Sequence, residues 1–194
     1  MEMTIISEQE KEKLRQSFLK KRNSMDTHEI KNYSRKICDR IIHSTLYQKS
    51  QKIFTFVSFG TEVDTTPLII HALSNHKMVA VPKVFSKTRK MIFSRITDLN
   101  ELGKGHFGIL EPPSSLLREE TSDEKTLFIV PGLIFDIEKY RIGYGGGYYD
   151  IYFKKNLSSA ITIGVAYDFQ VISKIPRESH DISLDWIVTE KRCI

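Results

Sequence analysis

The spacing of apolar positions changes near Ser50, and the change separates two kinds of element. Before it the spacing is helical. Leu14 and Phe18 stand four apart among Lys11, Lys13, Arg15, Lys20, Lys21 and Arg22. Asp26 precedes Glu29 by three positions, the spacing of a capping box, in which the two residues cap each other's backbone N–H groups. Ile30, Tyr33, Ile37, Ile41 and Leu46 then recur at steps of three to five. This predicts one long amphipathic helix ending near Gln48.

After Ser50 the apolar runs become short and rich in β-branched and aromatic residues. Ile53 to Val57, Met78 to Val81, Met91 to Ile96, Leu127 to Val130, Ala160 to Val165 and Trp186 to Val188 read as strands. Pro82 is expected to stop the second of these. Thr65, Thr66 and Pro67 read as the cap and first turn of a helix carried by Leu68 to Leu73. The polar stretch from Glu111 to Lys125 reads as a surface loop. Strands alternating with helices predict an α/β fold: a single compact domain over residues 1–194, with an open, mostly parallel sheet flanked by helices.

Composition narrows the class without changing that picture. The 194 residues are 40% hydrophobic and 27% charged, as in soluble globular domains. The longest apolar stretch, Leu127 to Phe135, is broken by Pro131 and Gly132 and is far shorter than the roughly 20 residues of a membrane span. The N-terminus has no basic start, so no secretory signal is expected. Cys38 and Cys193 lie far apart without metal-ligand spacing, which points to reduced thiols and a cytoplasmic protein. Lys plus Arg is 29 and Asp plus Glu is 24, leaving +5, a mild excess that suits an anionic partner.

The chemistry concentrates between Arg141 and Asp150. Gly143, Gly145, Gly146 and Gly147 are four of the ten glycines. Such a segment can turn successive backbone N–H groups toward an anion. A helix starting near Tyr148 would add its positive dipole end. Arg141 could clamp a phosphate, and Asp150 could hold a divalent cation beside phosphate oxygens. No Lys followed by Ser or Thr closes the run, so it is not a Walker A loop. Tyr148 stands where a dinucleotide fingerprint starting at Gly143 would need glycine.

The run from Arg141 to Asp150, preceded by Pro131 to Asp136, resembles the signature of the 5-formyltetrahydrofolate cyclo-ligase family. Lys11 and Arg15, then Glu62, Asp64 and Thr65, then Val81 to Lys83, Gly108 to Pro112, and His180, Asp181 and Asp185 fit the family in order. The resemblance covers nearly the whole chain. It implies ATP- and Mg²⁺-dependent cyclisation of 5-formyltetrahydrofolate to 5,10-methenyltetrahydrofolate, with release of ADP and phosphate, through a phosphorylated formyl oxygen. It also implies a fold related to sugar-phosphate isomerases and CoA-transferases, and a monomer that binds neither nucleic acid nor membrane.

The resemblance assigns residues as well. Lys11, Arg15, Arg141 and the backbone from Ile142 through Gly143, Tyr144, Gly145, Gly146, Gly147 and Tyr148 to Tyr149 would bind ATP. Val57 and Glu62, with Tyr144 to Tyr148, would meet the folate. Arg141 and Tyr148 would be catalytic, and Asp150 and Asp185 would hold Mg²⁺. Plainer readings stand beside these: a solvated basic face for Lys11 and Arg15, a core strand for Val57, packing for the two tyrosines, and a loop or cap residue for Asp185. Two positions depart from the family pattern. Lys139 occupies a turn position where glycine is common, and Ile151 one where a basic residue is common. An isomerase or transferase acting on a phosphorylated metabolite would use a similar cradle, and a basic RNA-associated protein is a third, non-enzymatic reading.

Overall fold

The computed structural model describes residues 2–105, 108–157 and 159–194. Among these residues are five α-helices: α1 (Glu2–Asn23), α2 (Thr27–Ile42), α3 (Thr45–Lys49), α4 (Thr66–Ser74) and α5 (Tyr148–Asn156). The strands are β1 (Lys52–Thr55), β2 (Met78–Phe85), β3 (Lys90–Ile96), β4 (Gly103–Lys104), β5 (Leu110–Glu111), β6 (Glu119–Glu120), β7 (Thr126–Val130), β8 (Ile134–Asp136), β9 (Arg141–Ile142), β10 (Ile161–Val165), β11 (Val171–Ile172) and β12 (Trp186–Val188).

The main sheet runs β12-β10-β7-β1-β2-β3-β6. Its first five strands are mutually parallel, while β3 is antiparallel to both of its neighbours. This is the mostly parallel α/β sheet that the strand–helix alternation predicts. Side chains along β1 alternate between its two faces. Ile53 joins Ile37, Ile41, Leu68, Ile69 and Ile129 under α2 and α4. Phe54 joins Phe93, Phe128, Tyr152 and Phe153 under α5. The Phe54, Phe93 and Phe128 rings meet at centroid distances of 4.9, 5.1 and 5.4 Å. β7 is buried at every position, as expected of a central strand covered on both faces. A second sheet, β11-β8-β9, forms its own cluster of Leu133, Ile134, Ile142 and Ile175, against which Leu14, Phe18 and Leu19 of α1 pack.

Three local expectations are corrected. The amphipathic pattern after Asp26 is two helices rather than one. Asp26 does form the capping box of α2 with Glu29. The chain then opens at Ser44, whose hydroxyl accepts from Tyr47 N (3.2 Å) and caps α3. Pro82 does not stop β2. The ladder to β1 ends at Phe54↔Ala80, so the missing N–H of Pro82 removes no bond on that side, and β2 continues against β3 to Phe85. The 111–125 stretch contributes β6, an edge strand pairing Glu119 and Glu120 with Ser94 and Phe93.

The sheet order places the site. After β1 the chain moves to β2 on one side, and after β7 it moves to β10 on the other. Ligands of open α/β sheets bind outside the carboxyl ends of strands where the winding reverses. The segment following β1 carries Glu62, and the segment following β7 leads through β8 and β9 into the glycine loop.

Candidate functional site

β9 places Arg141 and Ile142 by antiparallel pairing with Phe135 and Ile134 of β8. Their connecting turn is organised by Asp136, which is fully buried. Its Oδ1 accepts from Glu138 N and Tyr140 N (both 3.0 Å), and its Oδ2 from Ile175 N (3.2 Å) and Arg177 Nη2 (2.6 Å). Lys139 adopts φ of +69°, the left-handed conformation that makes glycine the usual choice there.

The loop from Gly143 to Gly147 feeds α5. Gly147 is the N-cap at φ +65°, and a side chain on Gly146 would strike the Tyr148 ring at 2.6 Å. Neither position tolerates a larger residue without distortion. The loop carbonyls are held from outside: Arg15 Nε donates to Gly143 O (3.1 Å) and Arg89 Nη2 to Gly146 O (3.2 Å). The N–H groups of Gly143 through Gly147 donate to no acceptor among the described residues. Unspent donors at the start of a helix form an anion cradle.

Lys11 and Arg15 are not a solvated face. Lys11 is buried and pairs with Asp181 Oδ2 (2.8 Å), with Glu178 Oε1 at 3.8 Å. Arg15 also reaches Glu8 (2.8 Å) and Glu12 (3.1 Å), whose side chains are exposed. Arg141 differs from its expected place as an open clamp. Its side chain is 4% exposed, bridges to Asp150 Oδ1 (3.1 Å), and donates through Nη1 to Ile182 O (3.2 Å). The Tyr149 and Phe153 rings flank it at 5.8 and 5.7 Å. Its charge is spent on Asp150 and on the segment leading to β12.

The two proposed metal ligands have different partners. Asp150 lies in the first turn of α5 beside the cradle. Asp185 Oδ2 accepts from Thr162 N and Oγ1, both at 2.8 Å, tying β12 to the amino end of β10. Asp150 Oδ1 accepts from Ile182 N (3.3 Å), three residues before Asp185, and among the described residues the two carboxylates share no hydrogen-bond partner. Asp185 thus has the geometry of a loop-capping residue. Among the described residues no group of three or more His, Cys, Asp or Glu side chains could hold a metal ion.

Val57 lies just past β1, buried in the core cluster of the sheet's α2/α4 face. Glu62 is beyond it. Its Oε2 accepts from Phe59 N (3.0 Å) and its Oε1 from Tyr144 Oη (2.8 Å). Burial pushes the Glu62 carboxyl above its ordinary value, against the opposing pull of the Phe59 amide, Tyr144 and Arg22. Burial, aided by the Glu62 charge, pushes the Tyr144 phenol up to about 12. Phe59 and Tyr144, whose amide and hydroxyl bond this carboxylate, are both exposed. Tyr148 is half-buried over Gly146. The Tyr149 hydroxyl is buried without a hydrogen-bond partner among the described residues, and burial raises its pKa strongly.

Two residues of the site escaped the sequence reading. Arg22 contacts Tyr144, and Arg89 contacts Gly146. Arg22 stands two helical turns after Arg15, a spacing that puts both on one face of α1. Nothing in the sequence around Arg89 marks it: it reaches the loop because the β2–β3 hairpin ends there, with φ of +50°.

Comparison with known proteins places the chain among relatives of one family. Residues 7–190 match the model of the 5-formyltetrahydrofolate cyclo-ligase family. The mouse 5-formyltetrahydrofolate cyclo-ligase is 29% identical over 163 residues, 79% of this chain and 80% of that protein. A probable 5-formyltetrahydrofolate cyclo-ligase of Caenorhabditis elegans is 27% identical over 194 residues, 95% of this chain and 94% of its own. The structure of Aquifex aeolicus 5,10-methenyltetrahydrofolate synthetase is similar at a TM-score of 0.81 and 35% identity, covering 94% of this chain and 91% of that one. The Mycoplasma pneumoniae synthetase shares the fold at a TM-score of 0.74.

Proposed function

The chain belongs to the 5-formyltetrahydrofolate cyclo-ligase family, and we propose that it couples ATP cleavage to ring closure of 5-formyltetrahydrofolate, giving 5,10-methenyltetrahydrofolate, ADP and phosphate. The observation that carries the nucleotide half is the run of unspent N–H groups from Gly143 to Gly147, held open by Arg15 and Arg89.

The chemistry explains why a phosphate cradle is needed. Closing the ring expels the formyl oxygen, and oxide is a poor leaving group. The formyl oxygen attacks the γ-phosphorus, and the bond to ADP breaks. N10 then adds to the activated carbon and loses its proton. The C–O bond breaks as phosphate leaves with the electron pair, and the methenyl cation remains. The protein's task is positioning and neutralising charge. Backbone N–H groups and the α5 dipole bind the phosphates, with Arg15, Arg89 and Lys11 around them. Tyr148, with Gly145 to Gly147, lies between the two substrates. Glu62 offers an acceptor to the ring N–H donors of the folate.

Asp150 fits a Mg²⁺ ion held by one carboxylate and by nucleotide phosphate oxygens, and the site does not fit a protein-only cage. Bound there, Mg²⁺ would neutralise phosphate charge. Arg141 acts through Asp150 by fixing its carboxylate. Residues 1–194 are taken as one functional unit acting as a monomer. We place the reaction in the cytoplasm, where ATP and conditions that keep thiols reduced coincide.

The test incubates the protein with 5-formyltetrahydrofolate, ATP and Mg²⁺ and follows methenyl absorbance. Product is expected only when all three are present. A folded protein that gives none overturns the reading.

A further inference from the structure

Arg22 is 3% exposed, yet no carboxylate lies within ion-pairing distance of it among the described residues. A buried charge with no carboxylate in direct contact is costly, and the carboxylate that this charge acts on, Glu62, is reached through Tyr144. The direct contacts of Arg22 are neutral. Nε donates to Thr61 Oγ1 (3.1 Å) and Nη2 to Tyr144 Oη, and the guanidinium carbon lies 5.6 Å from the centroid of the same ring. Tyr144 Oη in turn donates to Glu62 Oε1 (2.8 Å). The three residues come from the end of α1, the segment after β1 and the glycine loop, which are distant in sequence.

Each link has a physical consequence. The phenol can donate its single proton once, and it gives that proton to Glu62. Its lone pair is taken by Arg22. The ring is therefore fixed at both hydroxyl and face, and the carboxylate is fixed by Tyr144 on one oxygen and by the Phe59 amide on the other. Thr61 is held as well, since its hydroxyl donates to Asn23 Oδ1 (2.8 Å) at the last residue of α1.

We propose that Arg22 is a positioning residue for the folate-facing wall of the site, holding the Tyr144 hydroxyl against Glu62 so that the carboxylate meets the substrate's ring N–H donors in one orientation. This rests on the reading of Glu62 as the folate contact. It separates α1 into two roles: Lys11 and Arg15 serve the phosphate side, and Arg22 serves the folate side through Tyr144.

The test uses the full chain and the variants Arg22→Lys, Arg22→Ala, Tyr144→Phe and the double variant Arg22→Lys/Tyr144→Phe. The Michaelis constants for 5-formyltetrahydrofolate and ATP are measured separately. Binding of 5-formyltetrahydrofolate without ATP is followed by calorimetry. Each single variant should raise the folate constant about tenfold or more, the scale of one lost charge-assisted hydrogen bond. The ATP constant should stay within about twofold. The double variant should be no worse than the worse single variant, because both break the same chain of contacts. Arg22→Lys keeps the charge and most of the stem, so it reports even where Arg22→Ala fails to fold. An ATP constant that rises as much as the folate constant, or effects that multiply in the double variant, overturns the proposal. If the wild type turns over normally and Arg22→Lys matches it, only the proposal falls. If the folded wild type neither binds nor converts 5-formyltetrahydrofolate, the functional reading falls with it.

Discussion

Replacing Arg141 with alanine should cost both stability and catalysis, through the same contact. The guanidinium is 4% exposed and Asp150 is 21% exposed, at a separation of 3.1 Å. One charge-assisted hydrogen bond, to Ile182 O, worth about 1.5–3 kcal/mol, and the ion pair with Asp150 are lost. Contact with the Tyr149 and Phe153 rings adds up to about 2 kcal/mol. Water reaching Asp150 in the variant returns part of this. The expected loss is about 3 kcal/mol, at the low end for breaking a buried pair. That is a large share of a total of about 5–15 kcal/mol, so the variant folds at 25 °C but melts about 6–12 °C lower. Asp150 also loses its orientation, and disturbing the partner of a metal-binding carboxylate weakens metal binding about 10–100-fold. Denaturant unfolding gives the first quantity, and the Mg²⁺ dependence of turnover at saturating folate gives the second. Arg141→Lys should recover part of both. A loss below about 1 kcal/mol together with unchanged Mg²⁺ dependence would refute the assignment of Arg141 to Asp150.

Further substitutions probe other contacts. Lys139→Gly should stabilise by up to about 1 kcal/mol, because φ of +69° strains any residue but glycine; an equal loss would mean that the Lys139–Trp186 contact at 5.9 Å outweighs the strain. Tyr149→Phe removes an unpartnered buried hydroxyl, so its melting temperature should hold or rise by about 2–4 °C, and a clear fall would show that the hydroxyl has a partner. Glu62→Gln tests the sign of a titration. Burial raises the folded carboxyl above 4.5, so its contribution is complete below that value and is lost as pH rises through the folded value. The variant should therefore gain stability over wild type at pH 8, the gain should shrink toward pH 4.5, and folate turnover should fall; a gain that grows as pH falls contradicts this.

Much of the site was readable because its chemistry is local in sequence. Gly145 and Gly147 take positive φ and Gly146 leaves no room beside the Tyr148 ring, so the glycine-rich run stood out. The strand at Ala160 to Val165 followed from its β-branched run, whereas the short strands β8 and β9 ahead of the loop carry too few residues for a pattern. Arg141 shows the limit. Its residue type and place beside the glycines suited a phosphate clamp, but whether a guanidinium faces a ligand or a neighbouring carboxylate depends on where Asp150 and the 182 carbonyl fall in space. Asp185 shows the same limit, since its partner Thr162 is 23 positions away in sequence. Arg22 and Arg89 were missed for the converse reason. Each reaches the loop through tertiary packing, and a lone arginine carries no pattern. Pro82 misled because the proline rule concerns a lost hydrogen bond, and only the strand order shows that no bond was available to lose.

The central claim is that ATP activates the formyl oxygen and that this oxygen leaves as phosphate. It is tested most directly with 5-formyltetrahydrofolate carrying ¹⁸O in the formyl group, turned over with ATP and Mg²⁺, followed by mass analysis of the released phosphate. One labelled oxygen per phosphate, in step with methenyl product and ADP, is the predicted result. Product formed with the label in water, or ATP cleaved without labelled phosphate, would contradict it.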